Sequence, residues 1–238
     1  IDVGNFLDDN IHLELPVISS PMDTVTESDM GIAMYKAGGL GVVHRYNTPV
    51  EQVAIINQIQ QNTDAPIAAA VGVTGDFESR ACALFDAGVH IICIDVAHGH
   101  HILMKNALET LRNVFGTAVH LMAGNVATKQ GYEDLADWGA NSVRCNVGGG
   151  SICSTRIQTG HGVPGLQTIF DCVQSDRDAK IIADGGIKSS GDMVKALAAG
   201  ADFIMIGSML AGTKESPGLI VNERNGSKHK TYRGIALK

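Results

Sequence analysis

The sequence predicts an α/β fold, a single-domain (β/α)8 TIM barrel, from two features that alternate along its 238 residues. The first is a set of eight short apolar runs, which have the composition of strands buried on both faces of a parallel sheet. The second is a set of intervening segments of good helix formers, several of which end in a glycine suited to the left-handed position after a helix. Eight such units favour a closed barrel over a doubly wound sheet.

The apolar runs are the predicted strands, and helices are expected between them, for example over 28–37, 78–87 and 191–199. The interval between the sixth and seventh strand starts is the longest, at 38 residues. Its extra chain, GGGSICSTRIQTGHGVPG (148–165), is predicted to be a loop on the C-terminal face, where barrel enzymes place their active sites. The strands are LPVISS (15–20), GLGVVH (39–44), PIAAAVG (66–72), VHIICIDVA (89–97), AVHLMAGNV (118–126), NSVRCNVG (141–148), AKIIADGG (179–186) and DFIMIGSM (202–209).

The segment after the eighth strand, GLIVNERNGSKHKTYRG (218–234), predicts a β-hairpin that turns at Asn225-Gly226. No eighth helix follows it in the sequence, so we expect this chain to be a fragment of a longer protein or to lack mobile segments at its ends. No change in composition marks a domain boundary, and residues 1–238 are therefore expected to form one domain.

The composition argues against several classes of function. The formal net charge of −7 and the lack of a basic stripe disfavour a nucleic-acid partner, because nothing would displace the counterions of the polyanion. A small phosphorylated ligand stays compatible, since backbone N–H groups bind phosphate without net positive charge. No apolar run approaches the roughly 18 residues that a membrane span requires. The five cysteines include no C-x-x-C pair, and an odd count without a signal peptide predicts a reducing, cytoplasmic location.

Polar residues and glycines at the C-terminal ends of the predicted strands are the candidates for a ligand site. The ends of strands seven and eight, Asp184-Gly185-Gly186 and Gly207-Ser208, predict a phosphate site built from backbone N–H groups, to which Ser151 adds a hydroxyl. Asp184 is suited to accept hydrogen bonds from a ribose diol. Glycines that only form tight turns are the alternative. The other candidates at strand ends are Ser19, Ser20, Met22, Asp23, Asp95, Asn125 and Arg144.

Cys153 is the candidate nucleophile, because it lies among glycines, serines and a threonine rather than in an apolar element. A reactive thiol needs access and stabilisation of its thiolate. Thr155 and Arg156 are close enough in sequence to supply a hydroxyl and a positive charge. The alternative is a buried, incidental thiol, which is how we interpret Cys93 and Cys145 within their apolar strands.

The histidines at positions 98, 100 and 101 permit two interpretations. Two histidines separated by one residue can chelate a metal, but no carboxylate or cysteine partner has helical i, i+4 spacing. We therefore favour a polar loop that lines the mouth of the barrel.

Eight stretches, in the same order, resemble the IMP dehydrogenase/GMP reductase family, and the similarity runs through nearly the whole chain. The cysteine loop combined with the ADGG and GS phosphate turns is highly specific for that family. The stretches are SSPMDTVTE (19–27), GGLGVVH (38–44), IDVAHGH (94–100), AGNVAT (123–128), GSICSTR (150–156), ADGGI (183–187), GSMLAGTKESPG (207–218) and YRG (232–234).

The resemblance implies a role for each matching residue. Cys153 would attack C2 of a purine nucleotide, and Thr155 would assist at that centre. Asp95, Asn125 and Arg144 would lie by the reacting base and the nicotinamide. The backbone carbonyls of Gly148, Gly150 and Cys153 match the family's monovalent-cation loop, usually occupied by potassium. The nucleotide would be held by Ser20, Met22, Ser151, Asp184, Gly185, Gly186, Gly207, Ser208, Tyr232 and Gly234.

Two enzymatic activities in the family use this set of residues. In IMP dehydrogenase the adduct loses hydride to NAD and water then releases XMP, whereas in GMP reductase the adduct loses ammonia and NADPH returns a hydride to give IMP. The residues that separate them lie on a flap beyond YRG, so this sequence leaves the direction open. SSPMDTVTE, AGNVAT and LAGTKESPG look more like the dehydrogenase, which we favour. A non-catalytic purine-nucleotide-binding module is a further alternative.

The family resemblance also bears on organisation. About twenty residues link the second and third strands, too few for the CBS regulatory domain that dehydrogenases usually insert there, so no CBS domain is expected. The family suggests a homotetramer.

Two stretches depart from the family pattern. The family usually reads GIGPG before Ser-Ile-Cys, and here the run is NVGGG (146–150). The family commonly has Val-Pro-Gln where this chain has Val163-Pro164-Gly165. Glycine in place of proline at position 149 is expected to loosen the loop and to weaken the cation site.

Overall fold

The computed structural model describes residues 2–223 and 226–234. Strands β3 to β10 form a closed barrel of parallel strands in chain order, and β10 pairs with both β9 and β3. Each predicted run contains one barrel strand, so the predicted barrel is confirmed. The strands are β1 (Asn5–Asp8), β2 (Ile11–Leu13), β3 (Val17–Ser19), β4 (Leu40–Val43), β5 (Ala68–Val71), β6 (Ile91–Asp95), β7 (His120–Val126), β8 (Ser142–Cys145), β9 (Lys180–Asp184), β10 (Phe203–Ile206), β11 (Val221–Asn222) and β12 (Lys228–His229).

The barrel strands are apolar along their whole length because both of their faces are buried. In β6, Ile91 and Cys93 pack in the barrel interior, whereas Ile92 and Ile94 pack in the layer between strands and helices. Alternate residues of a strand point to opposite faces. A strand covered on the outside by helices and filled on the inside by side chains therefore has no polar face.

Helices cover the outside of the barrel and begin at recognisable caps. Thr48 and Glu51 form a capping box at the start of α2, and Ser189 caps α8. The predicted glycines close the helices, for example Gly88 after α3 with φ +87° and Gly200 after α8 with φ +110°. The helices are α1 (Ser28–Lys36), α2 (Pro49–Gln60), α3 (Phe77–Asp86), α4 (Ile102–Phe115), α5 (Lys129–Asp137), α6 (Thr155–Thr159), α7 (Gly165–Cys172) and α8 (Ser190–Ala198).

Three features differ from the sequence prediction or extend it. The hairpin β1–β2 precedes the barrel and buries Leu7, Ile11 and Leu13 against its interior, which closes the N-terminal end. Within the long cysteine loop, a short helix, α6, begins at Thr155. The C-terminal strands β11 and β12 pair as predicted, although Asn225 of the predicted turn lies outside the described residues. In the described part of the chain no helix follows β10, and no helix is long and apolar enough to cross a membrane.

A buried polar group fixes the N-terminal hairpin to the barrel. His120, at the start of β7, lies 2.9 Å by Nδ1 from the Asp8 carboxylate and 2.8 Å by Nε2 from the Ser142 hydroxyl. A neutral imidazole satisfies both contacts when Nδ1–H donates to Asp8 and Nε2 accepts the hydroxyl proton. Burial lowers the pKa of His120, and the hydrogen bond from His120 lowers the pKa of Asp8.

This group is expected to make the protein less stable in mild acid. Because the pKa of His120 is lower in the folded protein than its usual 6.5, the unfolded chain takes up a proton first as the pH falls below that value. The melting temperature, followed by circular dichroism, should therefore fall between pH 7.5 and pH 5. The variant His120→Asn should show a shallower dependence, whereas His161→Asn, at an exposed position, should behave as wild type. Equal slopes in wild type and His120→Asn would contradict this role.

Candidate active site

A cavity of about 440 Å³ opens at the C-terminal ends of the barrel strands. It is bounded by strand ends on one side and by the cysteine loop and the C-terminal segment on the other. The structure places every site residue that the sequence singled out for catalysis, nucleotide, base or cation on its wall. These are Ser20, Met22, Asp95, Asn125, Arg144, Gly148, Gly150, Ser151, Cys153, Thr155, Asp184, Gly185, Gly186, Gly207, Ser208, Tyr232 and Gly234.

One end of the cavity is built by chain segments that are distant in sequence. A Cβ atom added at Gly207 would lie 3.2 Å from the Tyr232 hydroxyl and 3.3 Å from both Met22 Sδ and Ser20 Oγ. The ends of β3 and β10 and the C-terminal segment therefore converge on Gly207. Ser151 lines the same cavity, and its side chain acts to lower the pKa of Tyr232, although burial outweighs this effect and raises that pKa.

The turn after β9 lies directly against the cysteine loop. Gly185 and Gly186 both have positive φ, +81° and +77°, a conformation that glycine adopts without steric cost. A Cβ atom at Gly185 would lie 3.2 Å from the Gly150 nitrogen, and one at Gly186 would lie 3.1 Å from the Gly149 carbonyl oxygen. The two glycines are therefore required by both backbone conformation and close approach. Both interpretations of these glycines, a phosphate site and a tight turn, are compatible with this geometry.

A buried ion triplet crosses the floor of the cavity. Arg144, whose side chain is 7% exposed, donates to Asp95 at 2.6 Å and to Asp184 at 2.8 Å. Burial by itself lowers the pKa of Arg144, but the charges of Asp184 and Asp95 outweigh it and raise that pKa well above its usual value. The guanidinium therefore stays charged and orients both carboxylates.

A local irregularity in β7 aims Asn125 at this triplet. Gly124 pairs with Arg144 and Val126 with Cys145, so Asn125 has no partner on β8 and forms a bulge. Its Nδ2 donates to Asp184 at 2.7 Å. Gly124 is needed here, since a Cβ atom would lie 2.6 Å from the Cβ of Arg144.

The Cys153 thiol lies beside the Thr155 hydroxyl, with 3.2 Å between Sγ and Oγ1. The predicted contribution of Arg156 differs. Its guanidinium donates to the Val163 carbonyl at 2.7 Å, and in the described residues no hydrogen bond joins it to the thiol. The start of α6 thus presents the hydroxyl to the thiol and directs the arginine elsewhere.

Cys93 and Cys145 are core residues. Burial raises the pKa of Cys93 to about 12, and a hydrogen bond with Cys172, followed by burial, raises the pKa of Cys145 well above its usual value. Both thiols are fully buried, which confirms their interpretation as core residues.

The histidines after β6 serve the scaffold. His100 pairs with Asp134 at 2.7 Å, and His101 caps α4 by accepting from the Leu103 N–H. In residues 2–223 and 226–234, no group of three or more histidine, cysteine or acidic side chains is arranged to hold a metal ion. His98, His100 and His101 are not among the residues that line the cavity, so a polar loop at the mouth of the barrel stays a prediction.

The family model described as the IMP dehydrogenase / GMP reductase domain matches residues 1–237. This chain belongs to that family. It is 47% identical over 193 residues to an inosine-5'-monophosphate dehydrogenase from Nitrosopumilus maritimus, covering 75% of this chain and 40% of that protein. It is 45% identical over 173 residues to a GMP reductase from Leishmania major, covering 71% of this chain and 35% of that protein.

The fold comparison agrees with the family. The structure superposes on an inosine 5' monophosphate dehydrogenase from Legionella pneumophila with a TM-score of 0.87 and 48% identity, covering 95% of this chain and 68% of that one. The chain spans less than half the length of the two curated relatives.

The family's cation loop does not fit a monovalent cation in this structure. The Gly150 carbonyl already accepts the Cys153 N–H at 3.1 Å. The Arg156 side chain lies against Gly148, where an added Cβ atom would be 3.1 Å from its Nε. A positive charge beside Gly148, one of the three ligand residues, opposes a cation there.

The cavity wall also contains polar side chains that the sequence did not single out, among them Arg45, Tyr46 and Asn146. Arg45 donates to the Asp95 carbonyl at 3.1 Å and lies over the Tyr46 ring, 5.2 Å from its centre. The Tyr46 hydroxyl lies 3.4 Å from the Asp95 carboxylate, and burial followed by that negative charge raises the pKa of Tyr46. Both residues directly follow the second apolar run, so their position at a predicted strand end could have identified them as site candidates.

Proposed function

We propose that this domain oxidises IMP to XMP with NAD, through a covalent adduct between Cys153 and purine C2. The observation that carries the proposal is the Cys153–Thr155 pair on a cavity that also contains a glycine-built anion site and the Arg144 triplet. A thiol on the wall of a site for a phosphorylated ligand fits nucleophilic catalysis better than binding alone. The proposal assigns to named residues of this chain the roles that the family resemblance implies.

Backbone donors on the cavity wall support the binding of a 5'-nucleotide through its phosphate. In the described part of the chain the backbone N–H groups of Gly186, Gly207 and Ser208 donate to no other group of the protein. Free N–H groups that converge on one end of a cavity form an anion site without net positive charge. The Tyr232 and Ser151 hydroxyls add side-chain donors.

Asp184 supports ribose recognition. Its contacts with Arg144 and Asn125 all go to Oδ2. Oδ1 is left to accept from a ribose hydroxyl. Because Arg144 and Asn125 hold the carboxylate in one orientation, that oxygen is fixed before the nucleotide binds.

The chemistry divides into two steps. The Cys153 thiol adds across the C2=N3 double bond of IMP: the sulfur bonds to C2, which becomes tetrahedral, while the π electrons and the thiol proton go to N3. The hydrogen on C2 then leaves with its electron pair, and N3 releases its proton to solvent as the C2=N3 bond re-forms. NAD, when bound, supplies the acceptor for that hydride. Water next attacks C2, the carbon–sulfur bond breaks, and the thiol takes up a proton as XMP leaves. Thr155 Oγ1, 3.2 Å from the sulfur, orients the thiol toward C2.

The wall formed by Arg45 and Tyr46 is the part of the cavity suited to the cofactor. The Tyr46 ring offers a flat face, and the Arg45 guanidinium stacked on it offers a positive charge. Asp95, which contacts both residues and Arg144, links this wall to the nucleotide side.

GMP reductase is the second candidate. The observation that favours it is the identity with the Leishmania major GMP reductase, which nearly equals that with the dehydrogenase from Nitrosopumilus maritimus. We place the dehydrogenase first because the SSPMDTVTE, AGNVAT and LAGTKESPG stretches resemble it more closely.

Nicotinamide absorbance tests the choice. Purified protein is given IMP with NAD and, separately, GMP with NADPH, and intact mass is recorded for an adduct on Cys153. NADH formed with IMP is expected. NADPH consumed with GMP would make the protein a reductase. No turnover in either assay, with nucleotide bound and no adduct formed, would favour a binding module.

The remaining family properties are proposed with it. The protein would form a homotetramer, work in the cytoplasm and require neither nucleic acid nor membrane. Light scattering tests the tetramer. Potassium dependence stays a prediction of the resemblance, which turnover in KCl against LiCl at equal ionic strength tests.

The variant Gly207→Ala is expected to weaken IMP binding selectively. The new methyl group would press on Tyr232, Met22 and Ser20 at 3.2–3.3 Å, at the phosphate end of the cavity. We expect KM for IMP to rise about 10-fold or more, with kcat changed by less than about 3-fold. Gly191→Ala, whose new Cβ atom has only one neighbour within 4 Å, is the matched control. A fall in kcat at unchanged KM would contradict a phosphate role.

A further inference from the structure

Asn146 is a buried residue to which the family resemblance gives no role. It follows β8 directly, is 5% exposed, and has a φ of +133°, which is unusual for a residue with a side chain. It lines the active-site cavity and also a second cavity of about 360 Å³ behind the glycine turn. Its side chain is therefore part of the wall between the two.

The Asn146 amide binds the back of the turn after β9. Its Nδ2 lies 2.9 Å from the carbonyl oxygen of Asp184 and 3.4 Å from that of Gly185. In a trans peptide the carbonyl and the following N–H point in opposite directions. A donor that holds the Gly185 carbonyl on one side therefore turns the Gly186 N–H to the other side.

Two glycines make room for this side chain. A Cβ atom at Gly149 would lie 1.9 Å from Asn146 Nδ2, and one at Gly165 would lie 2.9 Å from it. These positions and 146 itself are three of the four at which the sequence departs from GIGPG and Val-Pro-Gln; the fourth is Val147, where the family usually has isoleucine. The three departures at 146, 149 and 165 therefore belong to one exchange, because the Asn146 amide lies where side-chain atoms of residues 149 and 165 would be.

The conformation and burial of Asn146 lower the stability of the folded state. Its φ is strained, and its buried Oδ1 has no hydrogen-bond partner in the described residues. Strain and an unsatisfied polar atom in one residue are typical of functional positions rather than stabilising ones.

We propose that Asn146 is a positioning residue that presents the Gly186 N–H to the 5'-phosphate of the nucleotide. This inference rests on the proposed function, whose substrate carries that phosphate. Asn146 acts through the turn rather than by contact with the reacting atoms.

The first test is the substitution Asn146→Ala, with binding measured by calorimetry in the absence of cofactor. The affinity for IMP should fall about 10-fold or more, because a hydrogen bond to a charged phosphate is misaligned. The affinity for inosine, which lacks the phosphate, should stay within about 2-fold. Equal losses for IMP and inosine, or no loss for IMP, would overturn the proposal.

The second test uses the space around the amide. Gly149→Ala should displace Asn146 and weaken IMP binding to a similar extent, whereas the double variant should bind no more weakly than Asn146→Ala alone. Additive losses would overturn the coupling. Gly191→Ala again serves as the control, and melting temperatures verify folding. Wild-type protein that binds neither IMP nor GMP would reject the proposed function itself, whereas binding-competent variants with wild-type affinity would reject only the role of Asn146.

Discussion

Substitution of Cys153 by alanine is expected to lower turnover of IMP by about 10³-fold or more and to abolish the mass adduct. Only the sulfur atom is removed, and the phosphate and ribose contacts stay in place. IMP affinity, measured by calorimetry, should therefore remain within about 3-fold of wild type. The separation of binding from turnover is what distinguishes a nucleophile from a residue that shapes the cavity.

Cys82→Ala is the matched control for this variant. Cys82 is a half-buried thiol in α3, on the outer layer of the barrel and away from the cavity wall. Its turnover should equal that of wild type. Iodoacetamide should label Cys153 in wild type, and IMP should protect it. A Cys153→Ala protein that retained turnover would reject covalent catalysis.

Substitution of Arg144 by alanine is expected to lower the free energy of unfolding by about 3–5 kcal/mol. The guanidinium is buried between Asp95 and Asp184, so its removal leaves two carboxylates close together without a counter-charge. For a domain of this size the melting temperature should fall on the order of 10 °C. IMP affinity should fall as well, because Asp184 is no longer held toward the ribose.

Removing the two carboxylate charges separates the cost of unpaired charge from the cost of lost packing. Adding Asp95→Asn and Asp184→Asn to Arg144→Ala removes the uncompensated charges and should recover part of the melting temperature. The variant Arg177→Ala, which breaks an exposed pair with Asp137, should leave the melting temperature almost unchanged. A triple variant less stable than Arg144→Ala would show that the triplet stabilises mainly by packing.

The barrel could be predicted from sequence because its signals are local. A strand buried on both faces leaves a short apolar run, and a helix that ends before the next strand leaves a glycine with positive φ, as at Gly88 and Gly200. The polar residues at strand ends were also predictable in kind, because the C-terminal ends of parallel strands share one edge. The hairpin β1–β2 was not predicted, since a three-residue strand such as β2 is too short to show a period.

The barrel, the position of the cysteine loop and the catalytic and nucleotide-site candidates on the cavity wall could be read from the sequence alone. The contacts among these residues became visible only in the folded structure, as did the positions of Arg45, Tyr46 and Asn146 on the same wall. Arg144 meets partners 49 and 40 residues away, and the Asn125 bulge exists only in the register of β7 against β8. In the sequence, Gly149 is only a glycine where the family usually has proline. The structure shows that the Asn146 amide lies where a side chain at position 149 would be. Such contacts depend on distances in space, which a pattern along the chain does not record.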